Sequence, residues 1–185
     1  IDEESSMPEI EIRHAVVADI PKLLGLEHSF QTPYVWQMDR LFEKGQWVIS
    51  FREVRLPRPA NVDYPIPADT LQSELAQRSG LLMATIDNEP VGYVGIKANA
   101  VTSTAWVMDL VVKEDLRRKG IGSALILAAQ DWASQRDLMR MILEMQSKNF
   151  PAIHLALKLG YEFCGYNDQY YATRDIALFF ARFLN

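Results

Sequence analysis

Asp109-Leu110-Val111-Val112-Lys113-Glu114-Asp115-Leu116-Arg117-Arg118-Lys119-Gly120-Ile121-Gly122-Ser123-Ala124-Leu125 decides the fold. An apolar strand runs into a basic turn, and the turn opens a helix. Ile121, Ala124, Leu125, Ala128 and Trp132 recur at helical spacing, which predicts a helix to about residue 136. Gly120 and Gly122 carry no Cβ, so a ligand can approach the backbone closely. The first N–H groups of a helix lack intrahelical acceptors, and its dipole favours an anion there by ~0.3–1 kcal/mol. Arg117, Arg118 and Lys119 add positive charge beside Gly120, Ile121, Gly122 and Ser123. Read alone, the basic triplet is a solvated face. In a strand–turn–helix context the segment reads as a phosphate or pyrophosphate site. The P-loop pattern G-x-x-x-x-G-K-[ST] is absent, and the dinucleotide pattern G-x-G-x-x-G stops at Gly122.

Strands are expected on either side of this segment. Residues 81–86 and 91–98 form a hairpin around Asp87-Asn88-Glu89-Pro90, read as a turn of about four residues, and residues 104–112 follow. Residues 138–145 alternate little and predict a strand buried on both faces. A helix over 151–158, closed by Gly160, precedes strands at 161–166 and 176–184. Upstream, a short strand is expected at 10–15, a helix from Asp19 to about Phe30, a strand at 47–56 and a short helix from Asp69 or Thr70 toward Gly80. The Pro-rich residues 56–68 read as a long surface loop. The sum is an α/β fold: a mixed, largely antiparallel central sheet with helices packed on both faces. A single domain over residues 1–185 is expected, with residues 1–8 flexible.

Composition bounds the function. The chain has 185 residues, 49% of them hydrophobic and 23% charged, which is ordinary globular composition. A net charge of −5 disfavours a nucleic-acid partner held by phosphate contacts. The single cysteine, Cys164, excludes an internal disulfide, and it reads as a buried apolar residue. Three scattered histidines suggest no metal site. His154 reads as a packing residue on its helix. No apolar run reaches the ~18–20 residues of a membrane span, so a cytoplasmic protein with no membrane partner is expected.

Arg117-x-x-Gly120-x-Gly122 resembles the acyl-CoA pyrophosphate motif of the GNAT superfamily of N-acetyltransferases. Asn149-x-x-Ala152 followed by Lys158-Leu159-Gly160-Tyr161-Glu162 is similar to that family's second motif. Leu143 to Ala152, and Gly165-Tyr166-Asn167-Asp168 with Tyr171 and Asp175-Ile176-Ala177-Leu178-Phe179, look like the streptothricin acetyltransferase subgroup. The resemblance implies acetyl-CoA as co-substrate, no metal, and pantetheine contacts from the backbone of Leu110, Val111 and Val112. It implies a cofactor role for Arg117 to Ser123, and for Asn149, Ala152 and Lys158. One departure stands out: Ala156 occupies the position at which the family often places a tyrosine that protonates the leaving thiolate.

Acetyl transfer needs a neutral amine, and an amine of pKa ~10 is only ~0.1% free base at pH 7. Asp109 and Glu144 sit in apolar strands and are candidates for the proton acceptor; a structural hydrogen bond is the competing reading for each. Tyr170 and Tyr171 are candidates for the acid that Ala156 cannot supply, with core or rim packing as their competing reading. Phe30, Tyr34 and Trp36 either wall an acceptor pocket or cover the core. Two readings remain open. One is an N-acetyltransferase acting on a primary amine of a small cationic acceptor: a streptothricin-like antibiotic, a polyamine or a protein amine. The other is an acyl-CoA-binding module without transfer chemistry. A homodimer is left open.

Overall fold

The computed structural model describes residues 8–185. The flexible lead expected at residues 1–8 therefore lies, apart from Pro8, outside the described residues. The strands are β1 (Glu11–His14), β2 (Phe30–Glu43), β3 (Gln46–Val62), β4 (Gly80–Ile86), β5 (Glu89–Asn99), β6 (Thr104–Val112), β7 (Arg140–Gln146), β8 (Glu162–Asn167) and β9 (Ala177–Phe183). The helices are α1 (Ile20–Leu24), α2 (Ala68–Ala76), α3 (Ile121–Ser134) and α4 (Phe150–Lys158). The chain clusters into two compact units. The first holds residues up to 27, 68–141 and 183–185; the second holds residues 28–67 and 142–182.

In the first unit the strands lie in the order β1-β4-β5-β6, each antiparallel to its neighbour. The β4–β5 turn is tighter than expected. Only Asp87 and Asn88 lie outside the ladder, at φ 50° and 64°, which is the left-handed pair that a two-residue hairpin requires. Residues 91–96 of β5 are buried without interruption, so both faces of this strand are covered. Helix α3 packs on β4, β5 and β6 through Ile121, Leu125, Ile126, Ala129 and Trp132, and α1 lies against β5 and α2. Gly92 permits the close approach of α3. A Cβ there would meet the Val111 carbonyl at 2.8 Å and the Leu125 side chain at 3.2 Å. Helix α1 stops at Leu24 rather than near Phe30, because Gly25 caps it and Phe30 already pairs with Val62 in a strand.

The second unit departs most from expectation. Strands β2 and β3 form a long hairpin closed by Lys44 and Gly45, at φ 53° and 73°. The loop expected at 56–68 is instead strand as far as Val62. The register shows how the prolines are accommodated. Tyr34 faces Arg55 and Thr32 faces Ala60, so residues 56–59 bulge out opposite Pro33 alone. Pro57 and Pro59 thus fall where no ladder N–H is needed. Strands β7, β9 and β8 lie in that order, with β8 antiparallel to β9. A register shift between Phe163 and Gly165 makes Cys164 the extra residue of a bulge. That explains why Cys164 is exposed rather than buried as expected. Helix α4 starts at Asn149, whose side-chain oxygen accepts from the Ala152 N–H at 3.2 Å, and Tyr34 stacks on Phe150 at 4.9 Å. Among the described residues no helix is long and apolar enough to cross a membrane.

Candidate active site

The basic turn of the first unit links β6 to α3. After β6, the chain makes one 3-10 turn at Glu114–Leu116 and then places Arg118 and Gly120 at φ 67° and 89°. Among the described residues nothing lies within 4 Å of a Cβ built on Gly120, so the space beside its Cα is open. The first helical bond of α3 runs from the Ala124 N–H to the Gly120 carbonyl, which leaves the N–H groups of Ile121, Gly122 and Ser123 ahead of it. No side chain caps this end. Arg118 is half-buried and Lys119 exposed beside it. Arg117 has a different task. Its Nε donates to the Val112 carbonyl at 2.9 Å and its Nη2 to the Glu27 carbonyl at 2.7 Å, tying the end of β6 to the chain after α1.

Leu110, Val111 and Val112 pair with Val94, Tyr93 and Gly92 along one edge of β6. The partner of Asp109 is Gly95 and that of Val107 is Ile96, so Met108 is an extra, bulged residue. A bulge re-aims the backbone groups around it. Asp109 itself is enclosed. Arg78 Nε donates to its Oδ2 at 2.6 Å and Arg78 Nη2 to its Oδ1 at 3.4 Å, and the two side chains are 0% and 4% exposed. Arg78 also reaches Glu74 at 3.5 Å. A buried carboxylate needs such a partner. Arg78 lies 31 residues upstream, where sequence spacing gave no sign of it.

In the second unit, Glu144 sits half-buried on β7 between the buried Leu143 and Met145. The Tyr170 hydroxyl donates to Glu144 Oε2 at 3.4 Å, a long hydrogen bond across 26 residues of sequence. Burial, then the charge and hydrogen bonding of Glu144, push the Tyr170 phenol above its ordinary value, so it holds its proton at neutral pH. Tyr171 packs edge-on against Tyr170 at 5.0 Å. Asn149 and Ala152 are joined by the N-cap bond of α4. Lys158 lies exposed in the last turn of that helix, where a cation suits the dipole. Ala156 is fully buried on α4. His154 is exposed but packs its ring on Phe150 at 4.2 Å, and its Nε2 lies 3.0 Å from Glu53 Oε2. Among the described residues, none offers the buried Trp36 Nε1 a hydrogen-bond partner.

The expected residues thus fall into groups. One unit carries Leu110 to Ser123, with the basic turn, and also Asp109, which is held by Arg78. The other carries Glu144 with Tyr170 and Tyr171, and separately the capped helix with Asn149, Ala152 and Lys158. Sequence reading missed Arg78 and the Gln146–Lys148–Asp175 cluster behind the tyrosine loop.

Residues 33–161 match the model of the acetyltransferase (GNAT) family. A streptothricin acetyltransferase of Streptomyces lavendulae is 28% identical over 166 residues, spanning 87% of this chain and 86% of that protein. The fold resembles the crystal structure of nourseothricin acetyltransferase, with TM-score 0.80 and 24% identity over 95% of this chain and 99% of that one. It also resembles a candidate streptothricin acetyltransferase from Bacillus anthracis str. Ames in complex with acetyl coenzyme A, with TM-score 0.74 and 20% identity over 96% and 98% of the two chains. The strand–turn–helix order of the first unit agrees with this match, and the chain belongs to the acetyltransferase (GNAT) family, as an N-acetyltransferase whose acyl donor is acetyl-CoA.

Proposed function

We propose that the protein acetylates a primary amine of a streptothricin-class antibiotic, with Glu144 as proton acceptor for the amine and Tyr170 as proton donor to the leaving thiolate. The observation that carries the chemistry is the Tyr170–Glu144 hydrogen bond at 3.4 Å. A carboxylate and a protonated phenol side by side supply both proton transfers, and they offset the missing hydroxyl at Ala156. Asp109 is the weaker candidate for the base, because Arg78 already occupies its carboxylate. The cradle from Arg118 to Ser123 suits the pyrophosphate of the donor, with Arg117 shaping the turn from behind. Asn149, Ala152 and Lys158 serve the same donor by ordering and charging α4. The antibiotic acceptor is supported by the streptothricin relative that aligns over most of both chains. We take the two units as parts of one acyl-CoA N-acyltransferase domain spanning residues 1–185, a reading supported by one family match that runs through segments of both. A cytoplasmic enzyme, free of nucleic-acid and membrane partners, accords with the supply of its donor; a homodimer is compatible with this reading.

The test is CoA release with streptothricin, spermidine and an alanine-terminated peptide as acceptors. Streptothricin is expected to give the highest kcat/KM; preference for the peptide or the polyamine would overturn the acceptor. Release of no CoA with any amine would return the reading to an acyl-CoA-binding module. Glu144→Gln is expected to lower kcat/KM by about 10²–10⁴-fold and to flatten the acidic limb of its pH profile.

A further inference from the structure

The loop between β8 and β9 carries Tyr170 and Tyr171, and it is organised around a single residue at its neck. Gln169 and Arg174 take φ 53° and 63°, so the chain reverses within a few residues. The Asp175 carbonyl accepts from the Tyr170 N–H at 3.1 Å and from the Tyr171 N–H at 3.4 Å, while the Arg174 N–H donates to the Tyr171 carbonyl at 2.8 Å. The Asp175 carboxylate then fastens this turn to β7 and its extension. Its Oδ2 accepts from Gln146 Nε2 at 3.0 Å and from Thr173 Oγ1 at 2.8 Å, and its Oδ1 pairs with Lys148 Nζ at 2.5 Å. The Ser147 N–H donates to the Ile176 carbonyl at 3.0 Å just beyond. Burial alone would raise the Asp175 carboxyl, but the bonds from Lys148, Thr173 and Gln146 outweigh it and keep the group ionised.

Gln146 stands two residues after Glu144 on β7, and side chains two apart in a strand leave the same face. One face of β7 therefore touches the loop twice: Gln146 at its neck, through Asp175, and Glu144 at its tip, through the Tyr170 hydroxyl. Tyr170 is 42% exposed, and its ring meets Tyr171 and Phe179 edge-on at 5.0 and 6.0 Å. We propose that Asp175 is a positioning residue, whose carboxylate and carbonyl close the 168–176 loop so that the Tyr170 hydroxyl rests on Glu144. The inference builds on the assignment of Tyr170 and Glu144 given above. Asparagine at 175 would keep the size of the side chain but would remove its charge and set an NH₂ group either against Lys148 or against Gln146 and Thr173.

The experiment uses the full chain with 13C-labelled tyrosine, the Tyr170 resonance being assigned by its loss in Tyr170→Phe. Asp175→Asn is expected to lower kcat by about 10-fold, less than full loss of an acid group. Acetyl-CoA affinity should be unchanged by calorimetry. The Tyr170 phenol should titrate closer to the ordinary tyrosine value. In a Tyr170→Phe background the same substitution should have no further effect on kcat, because it acts through the hydroxyl. Lys148→Met and Thr173→Val, at sites open to solvent, should move kcat and the resonance the same way by less, which keeps the test alive should Asp175→Asn fold poorly. Unchanged kcat and an unmoved Tyr170 resonance across these variants overturn the proposal. An equal loss in the Tyr170→Phe background also overturns it. A wild-type rate for Tyr170→Phe, with a resonance still moved by Asp175→Asn, overturns the catalytic assignment of Tyr170 and supports the clamp.

Discussion

Removing the guanidinium of Arg78 should be among the most damaging single changes in the first unit. Arg78→Met keeps most of the aliphatic volume and deletes donors to both oxygens of Asp109. The pair is almost wholly out of water, at 4% and 0% side-chain exposure. Breaking a buried pair from one side costs about 3–5 kcal/mol, since an uncompensated charge is left behind. Against a typical total of about 5–15 kcal/mol that is a large fraction. At about 2–4 °C per kcal/mol for a chain of this size, the melting temperature should fall by roughly 6–20 °C. Asp109→Asn leaves the buried arginine only the longer Glu74 contact among its pairs with acids described above and should cost a similar amount. The double variant Arg78→Met/Asp109→Leu has no buried charge at this position and should recover most of the loss. Thermal unfolding followed by circular dichroism measures all of these variants under one buffer. At a temperature where Asp109→Asn is folded, its pH–rate profile should keep the wild-type acidic limb, which separates a structural carboxylate from a base. Single variants that melt within about 2 °C of wild type, or a double variant that melts at the sum of the single losses, would refute the reasoning.

Other outcomes follow from the same geometry. Gly120→Ala places a Cβ at φ 89° in open space, so only backbone strain opposes it. It should cost about 1–2 kcal/mol of stability and weaken acetyl-CoA binding by calorimetry; full-strength binding would count against the cradle. Asn149→Ala removes the cap of α4 and should cost about 1 kcal/mol, measured by denaturant unfolding, with Asn149→Ser recovering much of it. The Arg13 guanidinium, then the Val16 N–H, hold the Asp19 carboxyl down to about 2. A depressed folded-state value means stability that is present above the unfolded value of ~3.9 and is lost as pH falls toward about 2. Acid titration of unfolding should therefore be shallower over that window in Asp19→Asn, and an identical acid limb would contradict this.

How much of this was legible beforehand depends on the range of the interaction. Strand β6, the turn after it and helix α3 are local: apolar period, glycine placement and dipole act within a few residues, and residues 104–112 emerged as expected. The cap at Asn149 and the two flanking strands of the β4–β5 hairpin are local in the same way. Strand β2 was invisible because its ladder with β3, not its own pattern, makes it a strand. Its two-residue turn is formed by Lys44-Gly45, a weaker signal than Asn-Gly. The prolines at 57 and 59 read as loop for a sound reason, and only the bulge opposite Pro33 makes them compatible with a strand.

The site divides along the same line. The amino-acid order by itself determined the glycine-bearing turn and helix start at Gly120 to Ser123, because they form one continuous segment of backbone. It also determined that Asp109 and Glu144, each set in an apolar strand, must find partners or face a wet cleft. Which partners they found was decided by tertiary structure alone. Arg78 meets Asp109 across 31 residues, and Tyr170 meets Glu144 across 26. Those encounters separate one carboxylate, neutralised and enclosed, from another that keeps a phenol on its oxygen. Sequence can demand a counter-charge for a buried acid. Only the packed chain, by bringing a distant side chain within about 3 Å, selects which group answers that demand.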